Sequence, residues 1–233
     1  MSNFIAPFLN IWSKIAKSFP QDCLLCGAAC GNTRLCAACR ASLPHHPASC
    51  CPQCALPTPD GHTCGQCLKQ PPAFDRTLAA FSYAFPADAL VQALKYRHNL
   101  AAASVLAEPL AELARAQPRP DLLIPMPLHS SRLRERGFNQ SIELTRIVAK
   151  TLDLPLAPDA CERTRATAPQ VSLPIDERAK NLRGAFAGRM DLTGKKVAIL
   201  DDVMTTGATL NELARTLRRA GAAEISAWVV ARA

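Results

Sequence analysis

Aromatic side chains are scarce in this 233-residue chain, which holds eight Phe, two Tyr and two Trp. Proteins that grip single-stranded nucleic acid stack its bases on aromatic faces, so the composition offers little for an extended stacking channel. No run of about 20 apolar residues is present, which excludes a helical membrane span. Residues 1–20 lack a basic n-region, and Pro7 and Asn10 interrupt their apolar run. A secretory signal is therefore not expected there, and a cytoplasmic protein is. The formal charge of +8 forms no block or tail: residues 1–70 carry five Lys/Arg against two Asp. That spread permits a polyanionic partner and equally describes a mildly basic solvated surface.

Cysteine, by contrast, is abundant: eleven in all, ten of them before residue 68. In a cytoplasmic chain such clustering points to metal rather than to disulfides. Four C-x2-C knuckles stand in series, Cys23/Cys26, Cys36/Cys39, Cys51/Cys54 and Cys64/Cys67. Two thiolates two residues apart can chelate one Zn2+ from a tight turn, and two knuckles complete its tetrahedron. The nine-residue spacers inside 26–36 and 54–64 make two sequential ribbons the simplest pairing. An interleaved pairing, first knuckle with third and second with fourth, satisfies the ligand count too. The segment has too few large apolar residues to fold alone, and about 10–16 kcal/mol from a structural Zn2+ would supply the difference. Cys30 and Cys50 are left over, and His45, His46 and His62 are lesser ligand candidates. The expected role is scaffold, because each site is closed.

Before the cysteines, Phe4, Phe8, Ile11, Trp12, Ile15 and Phe19 recur at helical spacing. An amphipathic helix over 1–20 is expected, packed on the rest of the protein or on a partner. The cysteine segment occupies 21–70, and Pro71-Pro72 marks its end. From there to residue 233 short apolar strands alternate with alanine- and leucine-rich helices. Strands are expected at 76–84, 121–127, 157–163 and 224–231, and helices at 87–97, 100–116 and 139–152. This is an α/β pattern: a parallel sheet flanked by helices.

One further strand carries the chemistry. Val197 to Leu200 is an unbroken apolar run of the kind buried in parallel sheets. It is expected to end in two carboxylates, Asp201 and Asp202. Thr205-Thr206-Gly207-Ala208-Thr209 follows, and then a helix with Leu210, Leu213, Ala214 and Leu217 on one face. Strand, small-residue loop and helix aim backbone N–H groups and a helix N-terminus at a phosphate. The upstream carboxylates repel phosphate and suit sugar hydroxyls or a magnesium ion. This pattern resembles the phosphoribosyl pyrophosphate (PRPP) signature of type I phosphoribosyltransferases. The resemblance implies that the catalytic acidic pair, Asp201 and Asp202, holds the ribose hydroxyls. It implies also that Thr205, Thr206, Gly207, Ala208 and Thr209 cradle the 5′-phosphate, with Mg2+ accompanying PRPP.

A second anion-receptive corner follows the strand at 121–127, where Arg132, Arg134 and Arg136 precede Gly137-Phe138-Asn139-Gln140. Arginine's fork can hold two phosphate oxygens at once. Several segments then agree with one family. Leu94-Lys95-Tyr96, Pro125-x-Pro127, Arg136-Gly137-Phe138-Asn139-Gln140, Arg163-x-Arg165-x-Thr167-x2-Gln170 and Arg178-x2-Asn181-x2-Gly184-Ala185-Phe186 resemble ComF proteins in this order. That family joins a cysteine-rich zinc region to a type I phosphoribosyltransferase-like domain, and the likeness spans nearly everything after residue 20. It implies a role in DNA uptake during natural transformation, or in the use of extracellular DNA. Single-stranded DNA and other competence or DNA-processing proteins are the implied partners. Residues 163–186 would hold the loop that closes over PRPP, and Lys95, Arg136, Arg178 and Arg183 are candidate pyrophosphate contacts. No residue stands out as a general base for an acceptor. Two alternatives therefore stay open: an active transferase with an unidentified acceptor, and a single-stranded-DNA adaptor whose domain is inactive.

Overall fold

The computed structural model describes residues 21–166 and 182–233. The expected N-terminal helix and Arg178 lie outside the described residues. The chain forms two compact units, Met1–Leu43 and Pro44–Ala233. The first holds a single short helix among its described residues, α1 (Ala37–Ala41), whose N-cap is Cys36.

In the second unit, α2 (Gly65–Lys69) precedes β1 (Arg76–Ser82), α3 (Ala87–Tyr96), α4 (Ala101–Arg115) and β2 (Leu122–Pro125). Then come α5 (Ser130–Arg136), α6 (Gln140–Leu152), β3 (Cys161–Arg163), β4 (Phe186–Gly188), β5 (Lys196–Met204), α7 (Ala208–Arg219) and β6 (Glu224–Arg232). Strands β1, β6, β5 and β2 make one parallel sheet in that order. The central strands β5 and β6 are buried along nearly their whole length, as their runs of Val, Ile, Leu and Ala require. Strands β3 and β4 form a separate antiparallel pair.

Two local features differ from the sequence reading. The signature strand does not stop at the aspartates. It continues through both aspartates to Met204, because β6 runs alongside and pairs Met204 with Arg232. The arginine-rich stretch after β2, for which the sequence pattern named no element, is a helix, α5. His129 caps it by accepting from the Ser131 N–H, Arg132 and Glu135 pair at 3.1 Å across one turn, and Gly137 ends it at φ +75°.

The second cysteine cluster belongs to the core of the larger unit. Cys51, Cys54, Ala55, Cys67 and Phe74 share one apolar cluster with Met204, Leu210 and Val229. Thr77 of β1 fastens the Cys51–Cys54 turn: its N–H donates to the Pro52 carbonyl at 2.9 Å and its hydroxyl to the Gln53 carbonyl at 2.5 Å. Among the described residues, no helix is long and apolar enough to cross a membrane.

Candidate functional site

The acidic pair sits at the C-terminal end of β5, where ligands bind in open parallel sheets. Asp201 is 9 % exposed and Asp202 3 %. Two buried carboxylates side by side need cations and donors, and helices from elsewhere in the chain bring them. The Lys95 ammonium, one residue from the end of α3, lies 2.9 Å from Asp202 Oδ2. Ser141 in the first turn of α6 donates its hydroxyl to Asp201 Oδ1 at 2.9 Å, and the Asp202 N–H donates to the same oxygen at 2.9 Å. These partners do not fully compensate. Burial, and then the neighbouring Asp202 charge, push the Asp201 carboxyl up to about 7. Burial works against the Lys95 charge, but Asp202 outweighs it and holds the ammonium above its ordinary value.

Immediately downstream, the Thr205–Thr209 loop opens to solvent at its first two residues and leads into α7. Gly207 is the helix N-cap at φ +75°, a conformation glycine adopts without strain. A Cβ there would also meet the end of the Met204 side chain at 2.6 Å. Glycine at the N-cap offers no side-chain cap, and the positive end of the helix faces the loop. Thr206 Oγ1 accepts from the Ala208 N–H at 3.3 Å and holds the turn.

The Arg136–Ser141 segment walls the site. The Asn139 amide donates to the Met126 carbonyl at 3.0 Å, tying the segment to the end of β2, and its oxygen caps α6 at the Ser141 N–H. Arg136 lies 5.4 Å from the centre of the Tyr96 ring and donates to Gln140 Oε1 at 2.6 Å. Lys95 and Tyr96 thus lie at the same site: Lys95 pairs with Asp202 while Ser141 holds Asp201, and Tyr96 carries Arg136. Arg183 is exposed, and its carbonyl accepts from Arg165 at 3.0 Å. It stands just before β4, whose pairing with β3 closes the base of the segment read as a mobile loop. Glu212 of α7 clamps that base by accepting from the Gly184 N–H at 2.7 Å.

The metal ligands group as two sequential sets, Cys23/Cys26/Cys36/Cys39 and Cys51/Cys54/Cys64/Cys67, each with its sulfurs within 4.8 Å of one another. The interleaved pairing is therefore not adopted. Zn–S bonds of about 2.3 Å put neighbouring sulfurs about 3.8 Å apart in a tetrahedron. Cys26 and Cys36 stand 3.8 Å apart, and Cys54 and Cys64 3.6 Å. The thiols also strain against each other. Hydrogen bonds to Cys36 and Cys26 push Cys39 up to about 12. Burial opposes ionisation of Cys51, but backbone N–H groups led by that of Cys64 outweigh it and bring the thiol to about 7. Four such groups ionise together only around a cation, and Zn2+ fits both sets. Cys30 and Cys50 lie outside them, and His46 donates to the Ala55 carbonyl instead. Elemental analysis is expected to find about two zinc ions per chain, falling to one when Cys23, Cys26, Cys36 and Cys39 are all changed to Ser. Loss of both in that variant, as the interleaved pairing requires, would contradict the sequential sets.

Comparison with known proteins agrees with this layout. Residues 16–68 match the double zinc ribbon domain family, and residues 139–233 the phosphoribosyl transferase domain family. The DNA utilization protein YhgH of Shigella flexneri is 36 % identical over 222 residues, covering 91 % of this chain and 97 % of that one. Competence protein F of Haemophilus influenzae is 35 % identical over 179 residues, 73 % of this chain and 78 % of its own. The chain belongs to the ComF family. A solved glutamine PRPP amidotransferase from B. subtilis aligns with 55 % of this ComF-family chain and 26 % of its own, at a TM-score of 0.39 and 20 % identity.

Three side chains of this ComF-family site escaped the sequence argument. Ser141 reads only as a helix start. Arg163 reads as a loop boundary, yet it lies 5.7 Å over the Phe186 ring; burial lowers its pKa while the Asp201 charge works to raise it. Arg232 carries no motif at all. It is 6 % exposed, and its guanidinium donates to the carbonyls of Cys54, Met204 and Thr205.

Proposed function

We propose that this protein binds PRPP with Mg2+ and serves DNA uptake or the use of extracellular DNA from within the cytoplasm. One observation carries the ligand assignment: a buried carboxylate pair, braced by Lys95 and Ser141, runs without interruption into a phosphate-type loop at a helix N-terminus. In this reading Asp201 and Asp202 accept from the ribose 2′- and 3′-hydroxyls, and Thr205–Thr209 bind the 5′-phosphate. Each carboxylate already has a protein partner, which suits hydroxyl recognition better than a dedicated metal cage. Mg2+ therefore enters with PRPP, where it would neutralise the pyrophosphate. Arg136, Arg178 and Arg183 are the cations we assign to the same anion, with Lys95 acting mainly by holding Asp202. Closure of the loop rooted on β3 and β4 would exclude water from the anomeric carbon as pyrophosphate leaves.

The DNA role rests on the names of the relatives and on their coverage of the chain. Clustered thiols built as metal ligands fit a reducing compartment. A second reading, direct contact with single-stranded DNA or a planar acceptor, is favoured by Tyr96. The residue is 69 % exposed, bears Arg136 over its ring and adjoins Lys95, a stacking arrangement suited to a base.

Incubation with PRPP, Mg2+ and either nucleobases or single-stranded DNA separates these readings. Pyrophosphate release with one acceptor establishes a transferase. Salt-dependent DNA binding that weakens in Tyr96→Ala, without release, establishes an adaptor. Neither signal at any acceptor concentration would overturn the DNA assignment.

A further inference from the structure

Arg232 joins two parts of the chain that the sequence treats as unrelated. Its Nε donates to the Cys54 carbonyl at 2.8 Å, the last residue of a zinc knuckle. Its Nη1 donates to the Met204 carbonyl at 3.0 Å and the Thr205 carbonyl at 2.5 Å, the two residues that enter the phosphate loop. The Ala233 N–H adds a bond to the Met204 carbonyl at 3.0 Å, so the end of β6 holds this strand end from two sides. The knuckle is itself immobilised, because Thr77 fixes Pro52 and Gln53 and His46 fixes Ala55.

Charge follows the same path. Four thiolates around Zn2+ carry a net charge near −2, and a buried guanidinium beside them offsets part of it. The guanidinium's acceptor on this side, the Cys54 carbonyl, stays in place only while the knuckle keeps its folded, metal-bound shape. If the knuckle opens, one end of the fork loses its acceptor and its counter-charge, and the other end is the phosphate loop.

We propose that Arg232 is a positioning residue through which zinc at Cys51/Cys54/Cys64/Cys67 sets the conformation of the Thr205–Thr209 loop, and with it the loop's affinity for a phosphate ester. The affinity half of this statement rests on the phosphate-loop reading above; the conformational half does not. The second ribbon supports the loop through Arg232.

Amide hydrogen exchange at 204–209 and equilibrium binding of PRPP test it in the full-length chain. Arg232→Lys keeps the charge but cannot bridge both sides, so it is expected to speed exchange at 204–209. PRPP binding should weaken on the order of tenfold, as loss of an outer supporting contact does, with both zinc ions retained and exchange in β5 upstream of the loop unchanged. Cys64→Ser/Cys67→Ser should reproduce the loop effect, and Cys36→Ser/Cys39→Ser should not. The decisive readout is the combination. If the zinc signal passes through Arg232, adding Cys64→Ser/Cys67→Ser to Arg232→Lys accelerates loop exchange no further; full additivity overturns the proposal. So does wild-type exchange at 204–209 in Arg232→Lys. If exchange responds as expected but wild type itself binds no PRPP, the coupling stands and the phosphate reading falls.

Discussion

Lys95→Met is expected to destabilise the folded chain by about 3–4 kcal/mol at pH 7, because it strips the counter-charge from a buried carboxylate. The Lys95 ammonium meets Asp202 at 2.9 Å, with the lysine side chain 19 % and the aspartate 5 % exposed. Asp201 stands one residue away with its own proton affinity already raised, so the variant leaves two buried acids on adjacent residues without the lysine. Each can escape only by taking a proton. The penalty should therefore shrink as the pH falls towards 5, where protonation costs little, and grow above 7. Thermal unfolding across that range reads it directly. For a domain of this size each kcal/mol moves Tm by about 2–4 °C, so a fall of about 10 °C is expected at pH 7. An unchanged Tm would mean that the pair contributes nothing.

Asp201→Asn should act in the opposite direction. The folded carboxyl is pushed up to about 7 from an ordinary 3.8, by burial first and by Asp202 second. Between those values the folded state keeps a proton that the unfolded chain releases. The stability this group contributes is thus fully present below about pH 4 and lost as pH rises through 7. An amide keeps the acceptor for Ser141 and the Asp202 N–H and never ionises, so it avoids that loss. At about 1.4 kcal/mol per pH unit the ceiling is about 4 kcal/mol, and coupling to Asp202 brings the expectation to about 2 kcal/mol at pH 7.5 and near zero at pH 4. Denaturant unfolding at the two pH values measures it. A group that weakens the fold in its ionised form is retained for what it binds, the usual trade between stability and function.

How much of this was legible in the sequence follows from which interactions are local. The sheet announces itself, because strands buried on both faces must be apolar throughout: 196–204 and 224–232 read as strands with only their ends in error. The turn after the acidic pair is equally local, since Gly207 makes it with its own backbone conformation. The zinc ligands were visible, but their pairing was not, because spacing permits two arrangements and only the fold brings Cys26 to Cys36 and Cys54 to Cys64. Helix α5 was missed although its arginines are good helix formers, because it is only seven residues long and its cap, His129, is an uncommon one. Least legible were the braces. Ser141 lies 60 positions from Asp201, and Arg232 lies 178 from Cys54. A side chain that donates to distant main-chain carbonyls leaves no pattern in residue types, because every residue offers a carbonyl.

The central claim is that the acidic pair and the loop behind it form one PRPP site. Calorimetric titration of PRPP with Mg2+ into wild type and into Asp201→Asn/Asp202→Asn tests it most directly. Asp201→Asn alone should fold at least as well as wild type and is titrated beside the double variant, whose Tm is measured to separate lost binding from loss of the Lys95–Asp202 pair. Saturable binding by wild type, abolished in the double variant, is the expected result. Equal binding by both proteins would contradict the account.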